Sequence, residues 1–141
     1  MNGIKNFKYV ALDSNVFIYN LEQNFKFIRF TDAIFKGLIT SKLAGVTSII
    51  TLTEILSYPQ TEAQAGEIIE DFLNTPNLTV LELNQKIAIM AAKIRRTCRF
   101  LIPDAVQLAT AVEYKAQTFI TNDKRLKAFK ELPITLLTEV K

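Results

Sequence analysis

Histidine is absent from the 141 residues, and Cys98 is the only cysteine. Without histidine there is no Ser-His-Asp or Cys-His nucleophile, no imidazole acid–base chemistry and no histidine-ligated zinc. One cysteine excludes an internal disulfide and a four-cysteine zinc site. Cys98 reads instead as a small core residue in a chain suited to a reducing compartment. Long apolar runs are missing too. Stretches such as Ile87–Ala92 fall well short of the ~20 residues of a membrane span, and Met1–Tyr9 is too polar for the apolar region of a signal peptide. The expectation is a soluble, cytoplasmic protein with no membrane segment. No internal repeat, low-complexity segment or linker interrupts the sequence.

What remains is ordinary globular material. The chain weighs 16.0 kDa, the size of one domain, and 49% hydrophobic with 22% charged residues is enough for a real core. Seventeen Lys and Arg against fourteen Asp and Glu give a net charge of +3 and a pI near 9.0. A mildly basic domain is compatible with nucleic acid without requiring it.

Apolar periodicity alternates between two kinds of element. Tyr9–Asp13 is a buried strand ending in an acid. Ser14 and Asn15 offer capping side chains for a short helix with Val16, Phe17, Ile18 and Leu21 inward. From Asn24 onward the pattern is helical, with Phe27, Phe30, Ile34 and Leu38 on one stripe that Phe25, Ile28, Phe35 and Ile39 widen beyond one buried face. Four phenylalanines within eleven residues point to a partner-facing surface, in a homodimer or a partner groove. A strand is expected over Gly45–Ser48, and a helix over Ile49–Leu56 that ends before Pro59. Thr61 opens another helix, Leu78–Leu83 is a strand, and Asn84 caps a helix reaching about Arg99. Pro103 opens a helix over 104–115. Thr118–Thr121 is a strand, Lys124–Phe129 a short helix, and Pro133–Leu137 the last strand. Strands alternating with helices predict an α/β domain with a small, mainly parallel sheet of about five strands and right-handed crossovers.

In such sheets ligands bind outside the carboxyl ends of the strands. Asp13 ends the first strand, and Asp123 follows the Thr118–Thr121 strand by two residues. Glu54 lies in the first turns of the helix after the Val46 strand, and Asp104 opens a helix. Taken singly, each has an ordinary explanation: a turn at Asp13 and Asp123, a helix dipole at Asp104, a solvated face at Glu54. Together, four carboxylates at one edge would repel unless protonated or bound to a cation. With no histidine, the available ligands are oxygens, which suit Mg²⁺ or Mn²⁺.

The residues also carry a resemblance. Leu12-Asp13-Ser14-Asn15-Val16, Thr53-Glu54-Ile55, Pro103-Asp104-Ala105 with Leu108-Ala109, and Phe119-Ile120-Thr121-Asn122-Asp123-Lys124-Arg125-Leu126 resemble, in order and spacing, the motifs of PIN-domain ribonucleases. They are most similar to those of VapC-type toxins from toxin–antitoxin pairs. The resemblance spans nearly the whole chain. It implies a three-layer α/β/α sandwich and an acidic quartet at Asp13, Glu54, Asp104 and Asp123 that is both catalytic and metal-holding. It further implies supporting polar residues at Asn15, Thr121 and Asn122, cleavage of RNA with Mg²⁺ or Mn²⁺, an antitoxin partner and a homodimer. The chain starts directly at its first strand, as a free-standing toxin would.

Setting the quartet aside leaves seventeen basic residues against ten acids. Arg95, Arg96 and Arg99 precede Asp104, and Lys124, Arg125, Lys127 and Lys130 follow Asp123. Such groups suit a phosphate backbone, or form solvated helix faces whose stems cover apolar surface. Other classes that place an Asp at a strand end fit less well. A haloacid-dehalogenase-like phosphatase needs a second Asp where Asn15 stands, and a phosphoaspartate receiver needs an acidic pair near the first strand. A non-catalytic PIN module that binds RNA or protein would have no use for four gathered acids.

Overall fold

Short β-branched and leucine-rich runs supply every strand of one sheet in the computed structural model, which describes residues 7–140. The strands are β1 (Tyr9–Leu12), β2 (Ala44–Ser48), β3 (Leu78–Leu81), β4 (Thr118–Thr121) and β5 (Ile134–Leu136). They lie in the order β3-β2-β1-β4-β5, and every neighbouring pair is parallel. Parallel neighbours need crossover connections, and six helices supply most of them: α1 (Ser14–Leu21), α2 (Ile28–Ile39), α3 (Ile50–Leu56), α4 (Glu62–Leu73), α5 (Gln85–Cys98) and α6 (Ile102–Glu113). A 3-10 turn over Lys124–Ala128 leads from β4 towards β5. No helix among the described residues is long and apolar enough to cross a membrane. The polar opening of the sequence lies, up to residue 6, outside the described residues.

Side chains alternate across the strands, so both sheet faces must be covered. Val10, Leu12 and Ile120 pack with Phe17, Ile34, Leu38 and Phe72, from α1, α2 and α4. Ala11, Val46 and Phe119 pack on the opposite side with Ile87, Ala91, Ile94 and Leu108, from α5 and α6. Cys98 joins this second layer as a partly buried apolar neighbour. The result is the expected three-layer α/β/α sandwich.

Local chemistry fixes the helix ends. Asn84 accepts from the Ile87 amide and starts α5, which Arg99 stops in a left-handed conformation at φ 61°. Pro103 sits in the first turn of α6, where its missing N–H leaves no bond unmade. The expected wide helix from Asn24 is resolved differently. Asn24 makes a turn, its side chain accepting from the Lys26 amide, and α2 begins only at Ile28. Phe27 stacks on Tyr19 with ring centroids 4.7 Å apart, and Phe35 meets Phe17 edge-on at 5.4 Å. Phe30 is also half-covered by the core. Only Phe25, within the turn, is left out, at 93% exposure.

Candidate metal centre

The chain leaves β1 for β2 on one side, while β4 docks on the other. The crevice between β1 and β4 is therefore the place where the strand order reverses, the position that binds ligands in open α/β sheets. Asp13 stands at its lip. Its amide extends the ladder, donating to the Ile120 carbonyl at 3.0 Å. Asp13 itself, rather than Ser14 or Asn15, is the N-cap of α1, and Oδ1 accepts from the Ser14 amide at 2.8 Å. A carboxylate is favoured there by the exposed amides of the first turn.

The other oxygen, Oδ2, accepts from the Thr121 hydroxyl at 2.7 Å and from Asn15 Nδ2 at 3.3 Å. Thr121 is the junction of the site. While donating to Asp13, its hydroxyl also accepts from Asn15 Nδ2 at 3.3 Å and from the Asp123 amide at 3.0 Å. Asn15 Oδ1 accepts from the Asn122 amide at 3.2 Å, and Asn122 Nδ2 donates to the Tyr19 hydroxyl at 3.0 Å. This mesh ties the start of α1 to the end of β4 and leaves the Asp13 carboxylate 5% exposed. Burial raises its pKa to about 6. The Thr121 and Ser14 hydrogen bonds hold the rise back, and the charges of Asp104 and Glu54 add to it.

Glu54 on α3 is also raised, first by burial, with the Ser14 side chain pulling the other way and Asp104 adding to the rise. Asp104 in the first turn of α6 is raised by burial and by Asp123, against the pull of Arg125. Its Oδ2 is buried with no hydrogen-bond partner, and the Arg125 guanidinium lies 3.6 Å away, beyond hydrogen-bond range. Asp123 differs. Arg125 donates to both of its oxygens through Nε at 3.0 and 3.2 Å and pairs with it again through Nη2, holding its pKa below the usual carboxylate range. Three of the four acids thus carry raised pKa values, burial being the first cause in each, and the chain's own arginine lowers the fourth.

Asp13 feels Asp104 and Glu54, Glu54 feels Asp104, and Asp104 feels Asp123, so neighbouring carboxylates lie within electrostatic reach of one another. Among the described residues, however, no three such side chains close around a single point as a finished cage would. The donor set still fits a hard cation. Every potential ligand is an oxygen, one buried oxygen accepts no hydrogen bond, and Mg²⁺ retains several waters and needs only one or two carboxylates.

The basic residues divide. Arg95 Nη1 donates to the Arg99 and Phe100 carbonyls at 3.0 and 2.7 Å and so closes the end of α5. Arg125 faces the acids, and Lys127 pairs with Glu139 at 3.2 Å. Arg96, Arg99 and Lys124 are exposed. Arg95→Ala should therefore lower stability by about 1.5 kcal/mol, the scale of a charge-assisted hydrogen bond, whereas Arg96→Ala should leave it unchanged. Urea unfolding of the two variants checks this. Sequence reasoning passed over Ser14 as more than a cap, and passed over Tyr19. Both reach the site through side-chain contacts that spacing alone does not encode.

The model of the PIN domain family matches residues 10–132. A chain of the DNA-bound VapBC crystal structure from Salmonella typhimurium is 18% identical with a TM-score of 0.71, covering 93% of this chain and 98% of that one. A chain of a toxin–antitoxin complex from Klebsiella pneumoniae is 20% identical at a TM-score of 0.69, covering 93% and 99%. A chain of VapBC-1 from nontypeable Haemophilus influenzae is 22% identical at a TM-score of 0.68, covering 92% and 98%. Curated protein sequences give no significant match.

Proposed function

The chain belongs to the PIN domain family, and from that membership we propose that it is a Mg²⁺- or Mn²⁺-dependent endoribonuclease acting as the toxin of a toxin–antitoxin pair. The observation that carries this reading is the acidic edge: four carboxylates at the sheet's switch point, three of them with raised pKa values and one with a buried oxygen that accepts no hydrogen bond. A binding module gains nothing from burying carboxylates beside one another, whereas a cation that neutralises a phosphodiester needs such ligands.

Asp13, Asp104 and Asp123 would hold the ion, in part through its retained waters, and Glu54 would hold a second ion or orient the attacking water. A bound divalent cation supplies positive charge against the growing charge of the phosphate and acidifies water. The chain's own part is positional. Thr121 and Asn15 lock the Asp13 carboxylate, so its lone pairs keep one direction. Half-buried Glu54, with its raised pKa, is suited to take a proton from water as the new P–O bond forms and the old one breaks. Arg125 competes for Asp123 while no cation is bound and is free to meet a phosphate once one is.

Cleavage of a single-stranded RNA should stop in excess EDTA and return with Mn²⁺. Cleavage that persists unchanged in EDTA overturns the reading. Arg125→Gln should tighten Mn²⁺ binding several-fold at pH 7.5, since it removes the rival cation. Electron paramagnetic resonance of free Mn²⁺ measures this.

The antitoxin is proposed from the company of the similar structures and from a groove beside the site. Ile18, Leu21, Ile55, Tyr58 and Ile68 line it, with Glu22, Glu67 and Asp71 at its rim. Ile18 and Tyr58 also border a neighbouring hollow that reaches Glu54. An amphipathic segment with basic flanks would suit it. Phe25 is proposed as a contact in a homodimer.

A further inference from the structure

A polar chain runs through the interior beneath the acids. Gln107 Nε2 lies 2.6 Å from Thr51 Oγ1, Thr51 Oγ1 lies 2.7 Å from Thr47 Oγ1, and the Thr47 hydroxyl donates to the Leu12 carbonyl at 2.8 Å. All three side chains are at most 2% exposed. The donors have one consistent direction. Thr47 spends its hydrogen on Leu12, so Thr51 must donate to Thr47, and the Gln107 amide must donate to Thr51. The Gln107 carbonyl oxygen is used as well, accepting from the Ser48 amide at 3.3 Å.

The ends of this chain coincide with the acids. Leu12 is the residue before Asp13. Thr51 lies three residues before Glu54 on α3, and Gln107 three residues after Asp104 on α6, spacings that put each pair on one helix face. Three elements that carry three acids are therefore joined one layer below them. Apolar side chains would fill the same volume without the desolvation of an amide and two hydroxyls, so packing alone does not call for this chain. A connected buried hydrogen-bond network does fix one arrangement of its elements.

We infer that Gln107, Thr51 and Thr47 are positioning residues that set the mutual placement of Asp13, Glu54 and Asp104 for the cation. The inference rests on the metal-centre reading above. Positioning partners of metal ligands typically change affinity by about 10–100-fold.

The test is Mn²⁺ affinity, read by electron paramagnetic resonance well below the melting temperature, beside melting curves in EDTA. Thr51→Val and Gln107→Met should each weaken Mn²⁺ binding at least about tenfold. Their combination should weaken it no further than the stronger single change, because both break one chain. Thr51→Ser keeps the hydroxyl and should bind like wild type despite its lost methyl. Ile94→Val, a core change on α5 outside the chain, should lower the melting temperature without touching affinity. Wild-type affinity in Thr51→Val and Gln107→Met, or an equal loss in Thr51→Ser or Ile94→Val, overturns the inference and leaves the metal centre standing. Should Thr51→Val not fold, Gln107→Met against Thr51→Ser decides alone. Wild-type protein that takes up no Mn²⁺ overturns the metal centre and this inference together.

Discussion

Asp104→Asn should lower Mn²⁺-supported RNA cleavage by more than about 100-fold while the fold persists. The bound comes from comparison: residues that only support a metal ligand are worth about 10–100-fold, and a ligand should exceed them. The side chain sits in the first turn of α6, and its buried Oδ2 has no hydrogen bond to lose. An amide there removes charge and leaves a weak ligand for a hard cation. Folding gains little from the ionised carboxylate, since burial and Asp123 outweigh the pull of Arg125. Circular dichroism and the melting curve should therefore match wild type within a few degrees. A variant that cleaves RNA at the wild-type rate would remove Asp104 from the machinery.

Stability should depend on pH and metal in a way that separates Asp13 from Asp123. The Asp13 pKa rises from about 3.9 in the unfolded chain to about 6 in the fold. The native state then binds the extra proton, so stability falls as pH climbs between these values and the penalty is complete above the upper one. Two units correspond to about 3 kcal/mol. In EDTA at pH 7.5, Asp13→Asn should melt at or above wild type, because it removes that penalty. Near pH 4 the advantage should vanish. Asp123 has the opposite sign. Arg125 depresses its pKa, so its ionised form stabilises the fold above the unfolded value, and this is lost as pH falls through the folded one. Asp123→Asn should melt below wild type in EDTA. A cation reverses the order at Asp13: at a hundredfold excess over its dissociation constant it stabilises wild type by about 2.7 kcal/mol. Thermal melts in EDTA and in Mn²⁺, at both pH values, check each sign.

Much of this was legible from residue types and spacing. Asp13 and Asp123 could be placed because a short apolar run ending in an acid fixes a strand end, and parallel sheets bind at that end. Asp104 could be placed because Pro103 marks a first helical turn. The parts not legible depend on particular side-chain contacts, some local and some distant in sequence. Arg125 reads as one of several basic residues facing RNA, yet its side chain folds back two residues onto Asp123. Phe25 reads as helical until Asn24 turns the chain. Thr47 looks like ordinary strand propensity, and Thr51 and Gln107 like incidental polar residues in apolar helices. Their hydrogen bonds to one another span as many as 56 residues, and no local pattern announces them.

The central claim is that Asp13, Glu54, Asp104 and Asp123 form one divalent-cation site. Calorimetric titration of Mn²⁺ into the wild-type protein at pH 6, in two buffers of different ionisation enthalpy, tests it most directly. Saturable binding is expected, with proton release, because the Asp13 carboxyl is partly protonated there and must give up its proton to act as a ligand. The same titration into Asp104→Asn should show binding strongly weakened. No saturable heat in wild type, or equal binding by Asp104→Asn, would contradict the claim.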